Sequence, residues 1–384
     1  MIRVGTAGWD YPDWHGTVYP KPAPRGFDPL VFLTGIFDVV EVNATFYRVP
    51  SASTVASWVR RTADRPDFRF TVKLPRVFTH ARAGEPAGVE PRGPAGSKDD
   101  GASLHRTGAV APPAGGAGAT GARENQPSHD AGNSLISSTG EATPAPQGSL
   151  TDEGSTHGPA GGFGAWRTVG GAGPGGRADL DRTEKEFRAA IAPLLQAGRL
   201  GAVLVQFPQS FHARPEERAL LEEILDRFTG LPLVVELRHA DWADPAATGR
   251  LRERGVGFCN IDQPCIGSTL RPTALVTSPV AYVRLHGRNA AAWFREDAGR
   301  DARYDYLYGA DELGPWIASI QRMAEEGAET YVIANNHFRG KAAVNALQIK
   351  AALEAGLVEV PPPLLAAYPE LTPITRPRKD TLPF

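Results

Sequence analysis

Short apolar runs recur along the chain, separated by longer polar stretches with helical periodicity. The runs are Val4–Gly8, Val39–Asn43, Phe68–Leu74, Ala202–Gln206, Leu233–Arg238, Gly257–Asp262, Ala281–His286 and Thr330–Asn335. Each is rich in Val, Ile, Leu and aromatics and bounded by Gly, Pro, Asn or Asp, which predicts a strand. Between them, Ser51–Ala63, Asp311–Glu326 and Gly340–Glu354 repeat apolar residues at helical spacing. Pro215, ahead of EERALLEEILDRF, suits the first turn of another helix. Strands alternating with helices predict a parallel sheet. Eight such repeats predict an α/β fold closed into a TIM (β/α)8 barrel.

The pattern breaks once, between the third strand and its helix. Residues 81–180 hold 23 of the 42 glycines and 10 of the 34 prolines, with Phe163 and Trp166 as their aromatics. Such a stretch has too little apolar mass to offset the entropy of ordering. The expected organisation is therefore a single barrel domain from 1–82 and 179–384, with 83–178 a disordered insertion in a βα loop. Gly171, Gly173 and Gly176 fit G-x-G-x-x-G, but no strand precedes them, and in so glycine-rich a tract the match is expected by chance.

Charge and cysteine content narrow the class. The net charge is -2 for the whole chain, and the insertion takes the acidic excess, so no strongly basic domain is hidden in the average. Cys259 and Cys265 are too few for a disulfide framework or a four-cysteine zinc site. No apolar run approaches the ~18 residues of a membrane helix, and the opening MIRVGTAGWD lacks the pattern of a secretory signal. A cytoplasmic protein with no membrane partner is expected.

Active sites of such barrels lie at the carboxyl ends of the strands, so what each run ends on matters. Alternation along a strand places Glu41 with Asn43, Glu236 with Arg238, Asn260 with Asp262, and Arg284 with His286 on common faces. With the apolar phase turned to the helices, the polar phase faces the barrel mouth and Cys259 falls on the outward phase. Candidate catalytic residues are Glu41, Lys73, Glu236, Asp262 and His286. Candidate ligand-binding residues are Asn43, Gln206, Arg238, Arg284, Asn335, Asn336 and His337, together with the rim aromatics Trp9, Tyr47 and Trp242. Glu41 also suits a structural ion pair with Lys73 or Arg238, and Lys73 a Schiff-base role if burial depressed its pKa. The carboxylates, with His80, His286 and His337, make a divalent metal a candidate cofactor, although no compact ligand motif such as H-E-x-x-H is present. Arg284, Arg288, Arg339 and Lys341, in the loops after strands seven and eight, suggest a cradle for an anionic group.

The runs GTAGWDYPDWHGTVYP, FDVVEVNATFYRVP, FTVKLPRVFTH, VQFPQSF, ELRHADW, YVRLHG, YDYLY and NNHFRGKAAVNA resemble the YecE-like family, which carries domain of unknown function 72. The resemblance covers nearly everything outside the insertion. It implies a TIM barrel with a polar pocket at the strand carboxyl ends and supplies no reaction. The chain departs from that family's usual pattern at Ala7 and at Asp241, where Ser is common, and at Ala334, where an aromatic is common.

These readings favour an enzyme of hydrolase or isomerase type, with acid–base or metal-assisted chemistry on a phosphorylated or sugar-like ligand. The alternatives are a non-catalytic barrel binding a ligand or nucleic acid, and a scaffold that recruits partners through the insertion. The near-neutral charge disfavours nucleic acid.

Overall fold

In the computed structural model, residues 1–80, 176–293, 295 and 300–377 are described. Eight parallel strands close in sequence order: β1 Ile2–Ala7, β2 Val39–Val42, β3 Arg69–Lys73, β4 Leu200–Gln206, β5 Leu233–Glu236, β6 Gly257–Asp262, β7 Val280–Leu285 and β8 Glu329–Ala334. The ring is completed where β8 pairs with β1, Ile2 lying against Thr330 and Thr6 against Ala334. Every strand end falls within two residues of its expected position, and the chain forms the TIM barrel that its pattern predicted. The strands are almost entirely buried because both of their faces are covered, one by the barrel interior and one by helices.

The described helices are α1 Pro29–Thr34, α2 Ala44–Tyr47, α3 Ala52–Arg61, α4 Arg177–Gln196, α5 Pro215–Arg227, α6 Pro245–Glu253, α7 Ala290–Trp293, α8 Arg300–Arg303, α9 Ala310–Glu325, α10 Lys341–Glu354 and α11 Pro362–Ala367. Their starts follow local chemistry. Asp28 caps α1, accepting from the amide of Leu30 at 2.9 Å, and also receives the Arg61 guanidinium of α3. Ser51 caps α3 through the Thr54 amide at 3.1 Å. Pro215 and Pro245 occupy first helical turns. Among the described residues, no helix is long and apolar enough to cross a membrane.

Two expectations change. Helix α4 begins at Arg177, inside the 83–178 stretch expected to be disordered, while residues 81–175 lie outside the described residues. On β6 the faces are reversed. Asn260 and Asp262 point outward, and Cys259 lies inside the barrel, where the charges of Glu236, Arg284 and Glu41 act on it. The connection to β7, residues 263–279, contains no helix. Asn260 pins this loop, its Oδ1 accepting from the Leu275 amide and Thr273 Oγ1, each at 2.8 Å, while its Nδ2 donates to the Leu275 carbonyl at 3.0 Å.

Candidate functional site

Charged groups carried by β2, β3, β5 and β7 meet inside the barrel mouth. Arg284, on β7, is completely buried. Its Nη2 donates to Glu41 Oε1 of β2 at 2.7 Å, and its Nη1 donates to Glu236 Oε2 of β5 and, at 3.2 Å, to Gln206 Oε1 of β4. Arg238 reaches back to Glu236 Oε1 through Nε at 2.7 Å. Lys73, at the end of β3, holds its Nζ 3.7 Å from Glu41 Oε1 and 5.7 Å from the centre of the Phe46 ring. Tyr282, two residues before Arg284 on the same face, donates to Glu41 Oε2 at 2.9 Å and lies 2.7 Å from Thr71 Oγ1. Alternation puts these groups together because positions two apart on a strand share a face.

The electrostatics follow from burial among unlike charges. Burial pushes the Glu236 carboxyl upward, but Arg238 and Arg284 outweigh it and hold the group well below the usual carboxylate range. Burial, aided by the Arg284 charge, brings the Lys73 amine down to about 8, against the opposing pull of Glu41 and Glu236. Burial lowers His286 to about 3 despite Glu236, and lowers His80 to about 3 with help from Arg238. Both imidazoles are neutral at physiological pH.

The neutral His286 has an assignable tautomer. Its Nδ1 lies 2.8 Å from Asn335 Nδ2, so with the amide oriented as donor the ring proton sits on Nε2. That Nε2 is buried and 3.5 Å from Glu236 Oε1, too far for a good hydrogen bond. Arg284 Nε is likewise buried with no acceptor among the described residues. Two N–H groups in the barrel interior therefore lack a close partner, in a setting where unmade bonds are costly.

Of the residues expected at the site, the structure brings Glu41, Lys73, Gln206, Glu236, Arg238, Arg284, His286 and Asn335 together. Others lie elsewhere. Asp262 is on the outer face, where its carboxylate receives Arg288 Nη2 and Trp316 Nε1 at 2.6 Å and Tyr308 Oη at 2.8 Å. It anchors the α9 layer and is not part of the mouth cluster. Asn336 donates to the Tyr306 carbonyl and to Asn345 Oδ1, each at 2.8 Å, and so joins strand to helix. Trp242 is buried against Phe211, with ring centres 5.3 Å apart, and beneath Arg218, so its faces are already occupied. Trp9 packs edge-on against Trp58. Asn43 is half-buried at the start of α2, and Tyr47 is exposed. His337 stacks on Tyr11 at 4.4 Å and meets Tyr304, in an aromatic row that reaches His286 through Trp293.

The cradle expected in the last two loops is also committed elsewhere. Arg288 serves Asp262 and Glu312, and Lys341 pairs with Asp305. Reading along the sequence did not reveal Tyr282 or Thr71. The available signal was phase, since Tyr282 shares the face of Arg284.

A second group of polar side chains lies in the loops after β4 and β5. His212, His239 and Asp241 bring ligand atoms within 4.8 Å of one another. Burial, with His212 beside it, lowers the His239 pKa.

Comparison with known proteins agrees with this architecture. Residues 3–367 match the family described as "Protein of unknown function DUF72". The UPF0759 protein YunF of Bacillus subtilis (strain 168) is 29% identical over 177 residues, covering 44% of this chain and 63% of its own length, so the match spans less than two thirds of that relative. The solved structure of a DUF72 family protein from Thermotoga maritima MSB8 is similar with a TM-score of 0.60 and 26% identity, over 92% of this chain and 99% of that one. A DUF72 family protein from Enterococcus faecalis V583 also has a TM-score of 0.60, with 22% identity over 94% of this chain and 98% of its own, a likeness of fold alone.

Proposed function

Because the chain belongs to the DUF72 family of proteins of unknown function, whose name carries no reaction, we propose a function from the chemistry of the barrel mouth: an enzyme that binds a small anionic ligand, phosphorylated or sugar-like, and performs acid–base chemistry on it. The observation that carries this reading is the charge balance. Two buried carboxylates, Glu41 and Glu236, share their site with three cations, Arg284, Arg238 and Lys73. The excess positive charge favours an anion in a low-dielectric recess.

Lys73 supplies the proton chemistry. An amine near pKa 8 is available as an acid and as a base close to neutral pH, which is the condition for efficient general catalysis. Glu41 and Glu236 hold Arg284 and Arg238 in place. The Nε2–H of His286 and the Nε–H of Arg284 are the donors left to meet a ligand oxygen. Gln206 and Asn335 complete the polar lining. The donor set suits an anion better than a divalent metal, because both carboxylates already face cations.

Calorimetric titration tests this. Inorganic phosphate and a phosphorylated sugar should bind, the parent sugar at least about tenfold more weakly, and Lys73→Met should weaken the anions by about tenfold, ~1.4 kcal/mol. Lys73→Arg should keep the binding, because it keeps the charge, and lose turnover, because it removes the near-neutral proton. Equal affinity for the parent sugar and its phosphate, or anion binding indifferent to Lys73→Met, would overturn the reading.

A further inference from the structure

The group formed by His212, His239 and Asp241 stands apart from the barrel-mouth cluster, and its geometry points to a ligand. The Nδ1 atoms of both imidazoles converge on one carboxylate oxygen: Asp241 Oδ2 lies 2.9 Å from His212 Nδ1 and 3.2 Å from His239 Nδ1. The two rings are 4.0 Å apart at 51°. In a tetrahedral site with metal–nitrogen and metal–oxygen bonds of about 2.1 Å, ligand atoms sit about 3.4 Å from each other. The two nitrogen–carboxylate separations are within about half an ångström of that value, and all three ligand atoms lie within 4.8 Å of one another. An ion must displace the 2.9 Å hydrogen bond between His212 Nδ1 and Asp241 Oδ2 and the longer 3.2 Å bond from the Asp241 amide to His239 Nδ1.

The backbone holds these side chains in place. Phe207, Phe211 and Trp242 stack in series, and Trp242 Nε1 donates to the Phe211 carbonyl at 2.9 Å. His212 follows Phe211 and Asp241 precedes Trp242, so this clamp fixes the two ligands opposite one another. The third is anchored by the loop after β6, where His239 bridges Thr269 and the Ala240 amide donates to the Ser268 carbonyl at 2.8 Å. Burial of His239 and exposure of half of the Asp241 side chain leave one side of the site open to solvent.

We propose that His212, His239 and Asp241 form a divalent metal site, with three protein ligands and solvent completing the coordination. Two imidazoles and one carboxylate select the borderline ions of the zinc, cobalt and nickel class over calcium or magnesium. An open position makes the ion available to bind a further ligand. Arg214 opposes the ion's charge, but its Nη1 is 3.7 Å from Glu217, which offsets it.

The test uses the untagged full-length chain, stripped with a chelator and titrated with Co²⁺ and Zn²⁺. The expected result is one equivalent bound, with visible cobalt absorption and a change in fluorescence from the adjacent Trp242. His212→Ala and Asp241→Ser should each weaken binding at least about tenfold, since even outer partners of metal ligands cost 10–100-fold when removed. Lys73→Met should leave metal binding unchanged, which separates this site from the one proposed for the anion. Circular dichroism of each variant checks that it is folded. Absence of saturable binding, or binding that survives both ligand substitutions in folded protein, would overturn the proposal.

Discussion

Lys73 and Arg284 show how much of the site's behaviour rests on single side chains. With its pKa near 8, Lys73 is charged below that value and neutral above it. The positive excess at the barrel mouth should therefore vanish as pH rises, and anion affinity should fall through an inflection near pH 8. Measured dissociation constants for sulfate, whose charge is constant between pH 6 and 9.5, should show this inflection in the wild type and none in Lys73→Met. Arg284 carries a different burden, because it is the shared partner of two fully buried carboxylates. Among the described residues, Arg284→Met leaves Glu41 with Lys73 and Tyr282, and Glu236 with Arg238 and a neutral imidazole. A loss of about 3–5 kcal/mol in urea unfolding is expected, the cost of stranding buried charge. An unfolding midpoint indistinguishable from wild type would contradict it.

At the level of elements, the strands were legible because each is a compact apolar run between turn residues, and the helices because their apolar spacing is regular. The site was legible wherever alternation was anchored by a charged pair two residues apart, as at Glu236 and Arg238 or Arg284 and His286. β6 was misread for a physical reason. Its polar residues, Asn260 and Asp262, serve the outer layer, where a helix-free connection and the indole of Trp316 need hydrogen-bond partners. Polarity alone does not say which face of a strand is wet. Asn260 makes this checkable: Asn260→Ala removes the bonds to Thr273 and Leu275 and leaves the Leu275 amide unsatisfied. It should cost about 2–3 kcal/mol in chemical denaturation, without altering phosphate affinity, since the side chain points away from the mouth. The His212, His239 and Asp241 group escaped sequence reading because His212 comes from a different loop than His239 and Asp241, and the stacking of Phe211 on Trp242 brings the two loops together.

Taken whole, the barrel is closed by residues on both sides of the 81–175 stretch. All eight strands, and the seam where Gly5 of β1 passes so near β2 that an added Cβ would sit 1.8 Å from the Val39 carbonyl oxygen, belong to the described residues. A chain in which 81–175 is replaced by a short Gly/Ser linker should keep its far-UV circular dichroism and melt within a few degrees of the full chain, because lengthening a loop adds closure entropy only slowly. Collapse of the melting transition would show that the barrel depends on that stretch. The cross-linked mouth also constrains how this sequence can change over time. Glu41, Glu236, Arg238 and Arg284 share partners, so the effect of altering one depends on the state of the others, and their substitutions are non-additive. Neutralising Glu236 alone removes the acceptor that Arg238 and Arg284 share. The same change after Arg238 has lost its charge meets a site already short of one cation. New specificities at this barrel mouth are reached most readily through paired, charge-compensating steps, and the order of those steps decides which lineages remain folded along the way.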